Sequence, residues 1–554
     1  MSLIQRKPNC CFFLGISFLI ISFFFLLKFF SNSFLIKKTF PEQNTSTHVT
    51  IENRPSHRDH PYGGTLRWGT INAPLEINPL VTASSVSASI QGLIFNGLVK
   101  VNEHFGIEPD LAERWEVSED GLVYTFYLRK GVLFHDGIEL TAEDVVFTYQ
   151  QHINGDNNSS FRSRYDSVEE LEALAPYIFR ITLKEPFPSL LSGLVREIVP
   201  KHLLEGKNDA EFGQHPVGTG PFQFKSWDKG SNEIRLTANP VYFEGRPYLD
   251  EIVIKVFPDN SFLWAALMRD EVDFVKFLNR DDFTVLKGDQ KFKTFLIPAY
   301  FYLALLYNQH DPQLFDKEVR RSIASAVNVE QLILATSTGG IPCLGPVHPQ
   351  STGFNTDIKG FDYNPVRARM DLMTRGWRDV DGDGIFEKGG SELTLRMLVD
   401  QDNEYYLKLA KMIRQMLAQV GIKTHVIRYN DEDELTEEFI ARHKPQAWLR
   451  FFQGIGSDPY EAVTSWYSGS TQFGTVWDFH LDFIDELYEQ GRRETDPDKK
   501  LEIYQKIHEF LYEEQPACFL FFPVTFHAVN ARFKNTDAFF SATMPDYSIK
   551  DWHL

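Results

Sequence analysis

AWLRFFQGIGSDP, residues 447–459, decides the fold through what leads into it. Ala447, Trp448, Leu449 and Phe451 open it as an apolar strand, Gly454 and Gly456 break it, and Asp458-Pro459 closes the loop. Upstream, Leu393–Val399 reads as a strand. Leu409, Met412, Ile413, Met416, Leu417 and Val420 then recur at helical spacing, and Gly421 stops the helix. Ile422–Tyr429 is a second strand, Glu432–Arg442 a second helix and Gln446–Phe452 the third strand. Such a βαβαβ run predicts parallel strands with right-handed crossovers. Ligands of open α/β sheets sit beyond the carboxyl ends of the strands, so this loop is expected to touch a ligand.

The chain has 554 residues, 43% hydrophobic and 24% charged, which is globular composition and too long for one ordinary core. A net charge of −19 argues against sequence-independent nucleic-acid binding, which needs a positive field. Arg6 and Lys7 precede an apolar run from Cys11 to Leu27 that ends at Lys28, the layout of an export signal. Phe29 and Phe30 extend the run, so an uncleaved inner-membrane anchor stays open. Cys10 and Cys11 stand at the start of the run and not after it, which is not the lipoprotein arrangement. Residues 1–33 are therefore an export signal or anchor, and the polar, aperiodic segment 34–62 is a linker. Removal of the signal leaves Cys343 and Cys518, which could pair in an oxidising compartment or remain buried thiols.

The folded part starts near Gly63, with a strand at Thr65–Thr70 and a helix over Ala88–Val99. Trp115–Val117 and Leu122–Leu128 are strands joined across Glu119-Asp120-Gly121. Thr141 and Asp144 have capping-box spacing before Val145, Val146 and Tyr149. Gly218-Thr219-Gly220-Pro221 reads as a structural turn, since Pro221 lacks the N–H that a phosphate cradle would use. Asp379, Asp381 and Asp383 with Gly384 resemble the start of a calcium loop, but the twelfth position is Gly390 and not Glu, so a plain turn is expected. Asp496 and Pro497 start a helix carrying Ile503, Ile507, Phe510 and Leu511, and Phe519–Val524 is an apolar strand.

PDLAERWEVSEDGLVYTFYLRKGVLFHDGIELTAEDVVFTYQ (109–150), HPVGTGPFQFKSWDKGSNEIRLTANPVYFEGRPYLDEIVIKVFPD (215–259), YLALLYNQHDPQLFDKEVRRSIASAVNVEQLI (302–333) and GWRDVDGDGIFEKGG (376–390) follow one another in register. Together they resemble the family 5 extracellular solute-binding proteins, the peptide- and nickel-type receptors of ABC importers, from about Gly63 onward. The resemblance implies an α/β, two-lobe periplasmic binding protein fold of type II, with an extra subdomain in lobe one. Lobe one would span 63–295, lobe two 296–516, and residues 517–554 would return to lobe one. It implies an exported, periplasmic monomer that binds an oligopeptide or related solute in an interlobe cleft. It would deliver that solute to an ABC permease in the inner membrane, with no cofactor and no nucleic acid.

No Gly-x-Ser-x-Gly, His-Glu-x-x-His or Cys-x-x-Cys occurs, so neither a catalytic residue nor a metal ligand is assigned and an enzyme is not expected. The candidate ligand-binding residues are Tyr300, Tyr302 and Asn308 at the entry to lobe two, and Arg450, Phe451, Phe452, Gln453, Gly454, Ile455 and Asp458 at its far end. For each aromatic, core packing is the alternative. Peptide-binding members place an Asp four residues before the Pro of the Asp-Pro pair, to meet the peptide's α-amino group. Here that position is Ile455, which cannot pair an ammonium. Dipeptide-selective members also carry an Arg after the strand matching Leu393–Val399, where this chain has Asp400-Gln401-Asp402-Asn403. A non-peptide solute, such as a metal chelate or an oligosaccharide, is the rival ligand, and a membrane-anchored sensor is the rival role.

Overall fold

The computed structural model describes residues 62–554 except 75, 82–84, 103–105, 155–164, 207–208, 300, 337, 350, 352, 431–433, 454–458, 469–480 and 538–544. The expected export segment, positions 34–61 of the linker, and Tyr300, Gly454, Ile455 and Asp458 therefore lie outside the described residues. Among the described residues no helix is long and apolar enough to cross a membrane.

The strands of the first half are β1 (Thr65–Thr70), β2 (Val99–Val101), β3 (Ile107–Pro109), β4 (Ala112–Val117), β5 (Val123–Leu128), β6 (Val168–Ala175), β7 (Ile178–Leu183), β8 (Phe222–Asp228), β9 (Glu233–Ala238), β10 (Glu251–Val256) and β11 (Phe274–Leu278). Those that follow are β12 (Phe292–Pro298), β13 (Phe301–Tyr307), β14 (Gly339–Pro342), β15 (Glu387–Lys388), β16 (Ser391–Glu392), β17 (Thr394–Asp400), β18 (Lys423–Tyr429), β19 (Ala447–Gln453) and β20 (Ala517–Asn530). One large sheet runs β18-β17-β19-β13-β20-β11-β1-β10-β9-β8, with β12 and β14 also paired to β20. A separate four-stranded sheet, β4-β5-β7-β6, is the extra subdomain. The expected βαβαβ unit is present: β17 pairs parallel with both β18 and β19.

β20 joins the two halves. Its sequence ACFLFFPVTFHAVN is rich in aromatic and β-branched residues and is buried almost throughout, as suits a central strand. Its first residues pair with β13 (Leu306↔Ala517, Leu303↔Phe521), and its last pair with β11 (Leu278↔Phe526, Phe274↔Val529). Because side chains alternate along β13, Tyr302, Ala304 and Leu306 enter one core while Leu303, Leu305 and Tyr307 enter another. The first of these cores also contains Phe126, Phe134, Phe179 and Phe187 of the subdomain. Cys343 and Cys518 are buried free thiols, with Cys518 pushed up to about 12 by burial.

The local chemistry read from the sequence largely holds. Asp144 accepts from the Thr141 amide at 2.9 Å ahead of the helix Ala142–Asn154. Asp496 accepts from the amides of Asp498 and Lys499 at 3.0 and 3.3 Å, with Pro497 as first residue of the helix Pro497–Glu514. The Gly218–Gly220 turn is structural: His135 Nδ1 accepts from the Gly218 amide at 3.3 Å, and its Nε2 lies 3.0 Å from the Gly220 carbonyl. A Cβ on Gly218 would lie 2.1 Å from the Ile94 carbonyl oxygen, so glycine is needed for that approach.

Two helices differ from expectation. The helix expected over Ala88–Val99 runs Ser85–Ile94. It stops because Asn96 turns its amide onto both oxygens of the buried Asp110, at 3.1 Å each, and Gly97 binds the same carboxylate. The helix expected over Glu432–Arg442 begins at Glu437, where Thr436 caps the Phe439 amide at 3.2 Å.

Candidate functional site

The pairing registers locate the site. In the second half of the sheet, β17, β18 and β19 are parallel and end at Asp400, Tyr429 and Gln453. In the first half, β1, β10 and β11 are parallel and end at Thr70, Val256 and Leu278. The carboxyl end of β19 meets the start of β13, whose Leu303 lies on Phe521 of β20. The carboxyl end of β11 lies on Phe526 of the same strand. The strand ends of both halves thus converge on the stretch of β20 from Phe521 to Phe526, where ligands of α/β sheets are bound.

Three of the expected residues, Tyr302, Arg450 and Phe452, share one face of the β13–β19 pair there. β13 and β19 pair antiparallel, setting Tyr302 against Phe452, Leu303 against Phe451 and Ala304 against Arg450. The Tyr302 ring is fully buried, 5.7 Å from Phe452, 5.9 Å from Phe519 and 5.6 Å from Phe522. Its hydroxyl oxygen accepts from the Trp466 indole at 3.0 Å, and burial raises its pKa well above the ordinary phenol value. Aromatic pairs of this kind contribute about 0.5–1.5 kcal/mol each beyond their area. The half-buried Arg450 guanidinium lies 4.3 Å from the Trp448 ring centroid and 5.6 Å from that of Phe452. Opposite it stands the small Ala304.

Phe451 points to the other face. Its ring meets Phe301 at 4.9 Å and Tyr406 at 5.5 Å, and its amide donates to the Tyr406 hydroxyl at 3.2 Å. Burial pushes the Tyr405 and Tyr406 phenols up to about 12, so both stay neutral. Gln453 ends β19 opposite Phe301. Asn308 is not part of this group. It lies past the opposite end of β13, where its amide donates to the Gln446 carbonyl at 2.9 Å and its side chain accepts from the His310 amide at 3.0 Å.

The first half contributes residues that the sequence reading missed. Phe277, next to the carboxyl end of β11, has φ +61° and is 40% exposed. A bulky side chain in the left-handed region is strained and persists only where its surroundings enforce it. Its ring lies 5.6 Å from His527, whose Nε2 is 2.7 Å from the Thr525 hydroxyl. The same hydroxyl also lies 3.1 Å from the Ile297 carbonyl, to which it donates. Nothing in the sequence FVKFL marks Phe277, because a backbone angle leaves no trace in composition.

The acidic turn is far along the chain from these residues. Asp379, Asp381, Asp383 and Glu387 each bring a ligand oxygen within 4.8 Å of the others, so these four could share a cation. Glu387, the ninth position from Asp379, is a ligand position of the calcium loop that the sequence reading passed over. Asp379 already accepts from the amides of Gly382 at 2.7 Å and Gly384 at 3.1 Å, as a hydrogen-bonded turn does.

The family model for bacterial extracellular solute-binding proteins, family 5 Middle, matches residues 106–474. The oligopeptide-binding protein AppA of Bacillus subtilis is 29% identical over 492 residues, covering 83% of this chain and 86% of its own. The structure of that AppA in complex with a nonapeptide superposes with TM-score 0.71 at 28% identity, covering 89% of this chain and 99% of AppA. NikZ from Campylobacter jejuni in complex with Ni(L-His) also superposes with TM-score 0.71, at 25% identity, covering 88% of this chain and 99% of NikZ. The α/β two-lobe fold of type II expected from the sequence is therefore the fold of this chain, with β4–β7 as its extra subdomain.

Proposed function

The chain belongs to the bacterial extracellular solute-binding proteins of family 5, and from that premise we propose that the solute it captures is an oligopeptide. Lobe one spans 63–295, lobe two 296–516, and 517–554 rejoin lobe one. The hinge lies where β12 passes into β13 and where β20 crosses between the halves. Ligand capture closes the lobes around it, and the closed receptor, a monomer without nucleic acid or cofactor, hands the solute to an ABC permease in the inner membrane. Residues 1–33 export the chain or tether it.

One observation carries this reading: the strand ends of both lobes converge on Phe521–Phe526 of β20, beside an aromatic wall and Arg450. The described side chains named there are aromatics, a hydroxyl, an imidazole and a guanidinium, which suit solute binding. Within it, Arg450, Phe451 and Phe452 face the solute from lobe two with the buried Tyr302 packed behind them, and Gln453 ends the strand that carries them. Asn308, at the far end of β13, does not belong to this group.

A second reading rests on Ile455. With no carboxylate there to meet an α-amino group, a solute without a free amine, such as a metal chelate or an oligosaccharide, would suffer no unpaired ammonium. Native mass spectrometry of gently purified protein separates the two. A set of co-purifying masses that fragment as peptides supports the first reading, and a single non-peptide mass replaces it with the second.

A further inference from the structure

The extra subdomain touches lobe two through a rigid loop. Lys184–Ser189 reads KEPFPS, and its two prolines fix the backbone that presents Glu185 and Phe187. Glu185 pairs with Arg492 at 2.6 Å and with Arg493 at 3.1 Å, both on the helix Asp482–Arg493. Arg492 also donates to Ser167 at 2.7 Å, and Lys500, on the next helix, donates to Ser189 at 2.9 Å. Phe187 packs edge-on to Tyr460 at 5.1 Å, with the Arg492 guanidinium 5.5 Å from its ring centroid. Glu489 holds both arginines from behind, at 3.3 and 3.0 Å.

The two sides of this seam belong to different lobes. The subdomain is fastened to lobe one where the Ala112 amide donates to the Leu98 carbonyl at 2.9 Å and where Arg129 donates at 2.7 Å to the carbonyl of Asp110, whose carboxylate Asn96 holds. The arginine-bearing helix lies between β19 and β20 in the chain and packs on the helix Pro497–Glu514, whose last residue pairs with Lys317 of lobe two at 2.8 Å. Parting the lobes about β12–β13 and β20 must break the seam. Arg492 is only 18% exposed and Glu185 33%, so salt screens this bidentate arrangement less than an open surface pair.

We propose that Glu185 is a positioning residue of solute capture: it binds the Arg492–Arg493 pair across the lobes, favours the closed arrangement, and lengthens the stay of a solute that it never touches. The proposal rests on the two-lobe capture described above. Spin labels at the exposed positions Glu119 and Lys499, introduced as cysteines in the full chain with Cys10 and Cys11 replaced by serine, report the seam by pulsed dipolar distances. Cys343 and Cys518 are buried and stay unlabelled. In the parent protein the short distance dominates. Glu185→Gln is expected to raise the long-distance population relative to the short by about two- to five-fold. Raising the salt concentration should lengthen distances in the parent but not in Glu185→Gln, a response that a merely structural residue does not give. Identical distributions in parent and variant, in protein whose distances still change when co-purified solute is washed out in urea and the chain refolded, overturn the latch alone. Distances that respond to neither the variant nor the washing overturn the latch and two-lobe capture together.

Discussion

Replacement of Arg320 by methionine is expected to destabilise the protein by about 3–5 kcal/mol. Arg320 is 3% exposed, and backbone carbonyls occupy its guanidinium. It donates to the carbonyls of Leu314 and Phe315 at 2.8 and 3.0 Å, and to those of Glu514 and Gln515 at 2.6 and 3.0 Å. Glu514 and Gln515 end the helix Pro497–Glu514, where carbonyls have no partner within the helix. A cation there also meets the negative end of the helix dipole. Methionine fills the space but leaves four carbonyls without their donor, those of Leu314 and Gln515 in buried surroundings. Arg320→Lys keeps the charge without the planar fork and should lose about half as much. Urea unfolding reads both: the midpoint falls while the slope is unchanged. A loss below about 1 kcal/mol for Arg320→Met would show that water replaces the guanidinium at those carbonyls.

Acid is the second large lever. Burial lowers His135, His152, His348 and His508 to about 4, and holds His527 well below the ordinary imidazole value. Each is therefore neutral when folded and takes up a proton on unfolding once the pH drops below about 6.5. The unfolded chain then binds more protons than the folded one, so stability falls as pH falls from about 6.5 toward 4. Each of the four histidines lowered to about 4 contributes roughly 2 kcal/mol of loss by pH 5, on the order of a whole domain's stability when they act together. Asp110 works the other way. Burial raises it to about 6, so the folded state gains its proton first, and stability from this group rises as pH falls through 6 toward the ordinary carboxylate value. One carboxylate does not offset five imidazoles. Unfolding free energies from urea curves at pH 7.5 and pH 5 are expected to differ by several kcal/mol, the midpoint falling at pH 5, with more than one proton taken up on unfolding there. Equal midpoints would mean that the histidines protonate without unfolding.

The βαβαβ unit was legible because each of its strands and its long helix carries its own period. Leu409, Ile413, Met416 and Leu417 are all buried, and Gly421 stops the helix with φ +87°. Caps were legible for the same reason, since Asp496 acts on amides two and three residues away. What joins the lobes was not. Phe519–Val524 reads as an apolar strand anywhere, and nothing in it says that Phe521 lies on Leu303 while Phe526 lies on Leu278. Those pairings span more than 200 residues and are set by packing, not by local preference.

The site was half legible. Tyr302 and Phe452 were both named, and antiparallel register sets them side by side. Asn308 was named on the same strand, but a strand has two ends, and only the partner register says which one faces the cleft. Phe277 was missed because strain is a property of the backbone. Glu185 was passed over because its partners stand more than 300 residues away.

The place of capture is open to direct test by a crystal structure of the protein purified with its own solute. Solute density is expected between the carboxyl ends of β11 and β19, over Phe521–Phe526 and within contact of Phe277 and the Phe451–Gln453 stretch. Density bound on an outer face of either lobe, with that stretch filled only by side chains and water, would contradict capture between the strand ends.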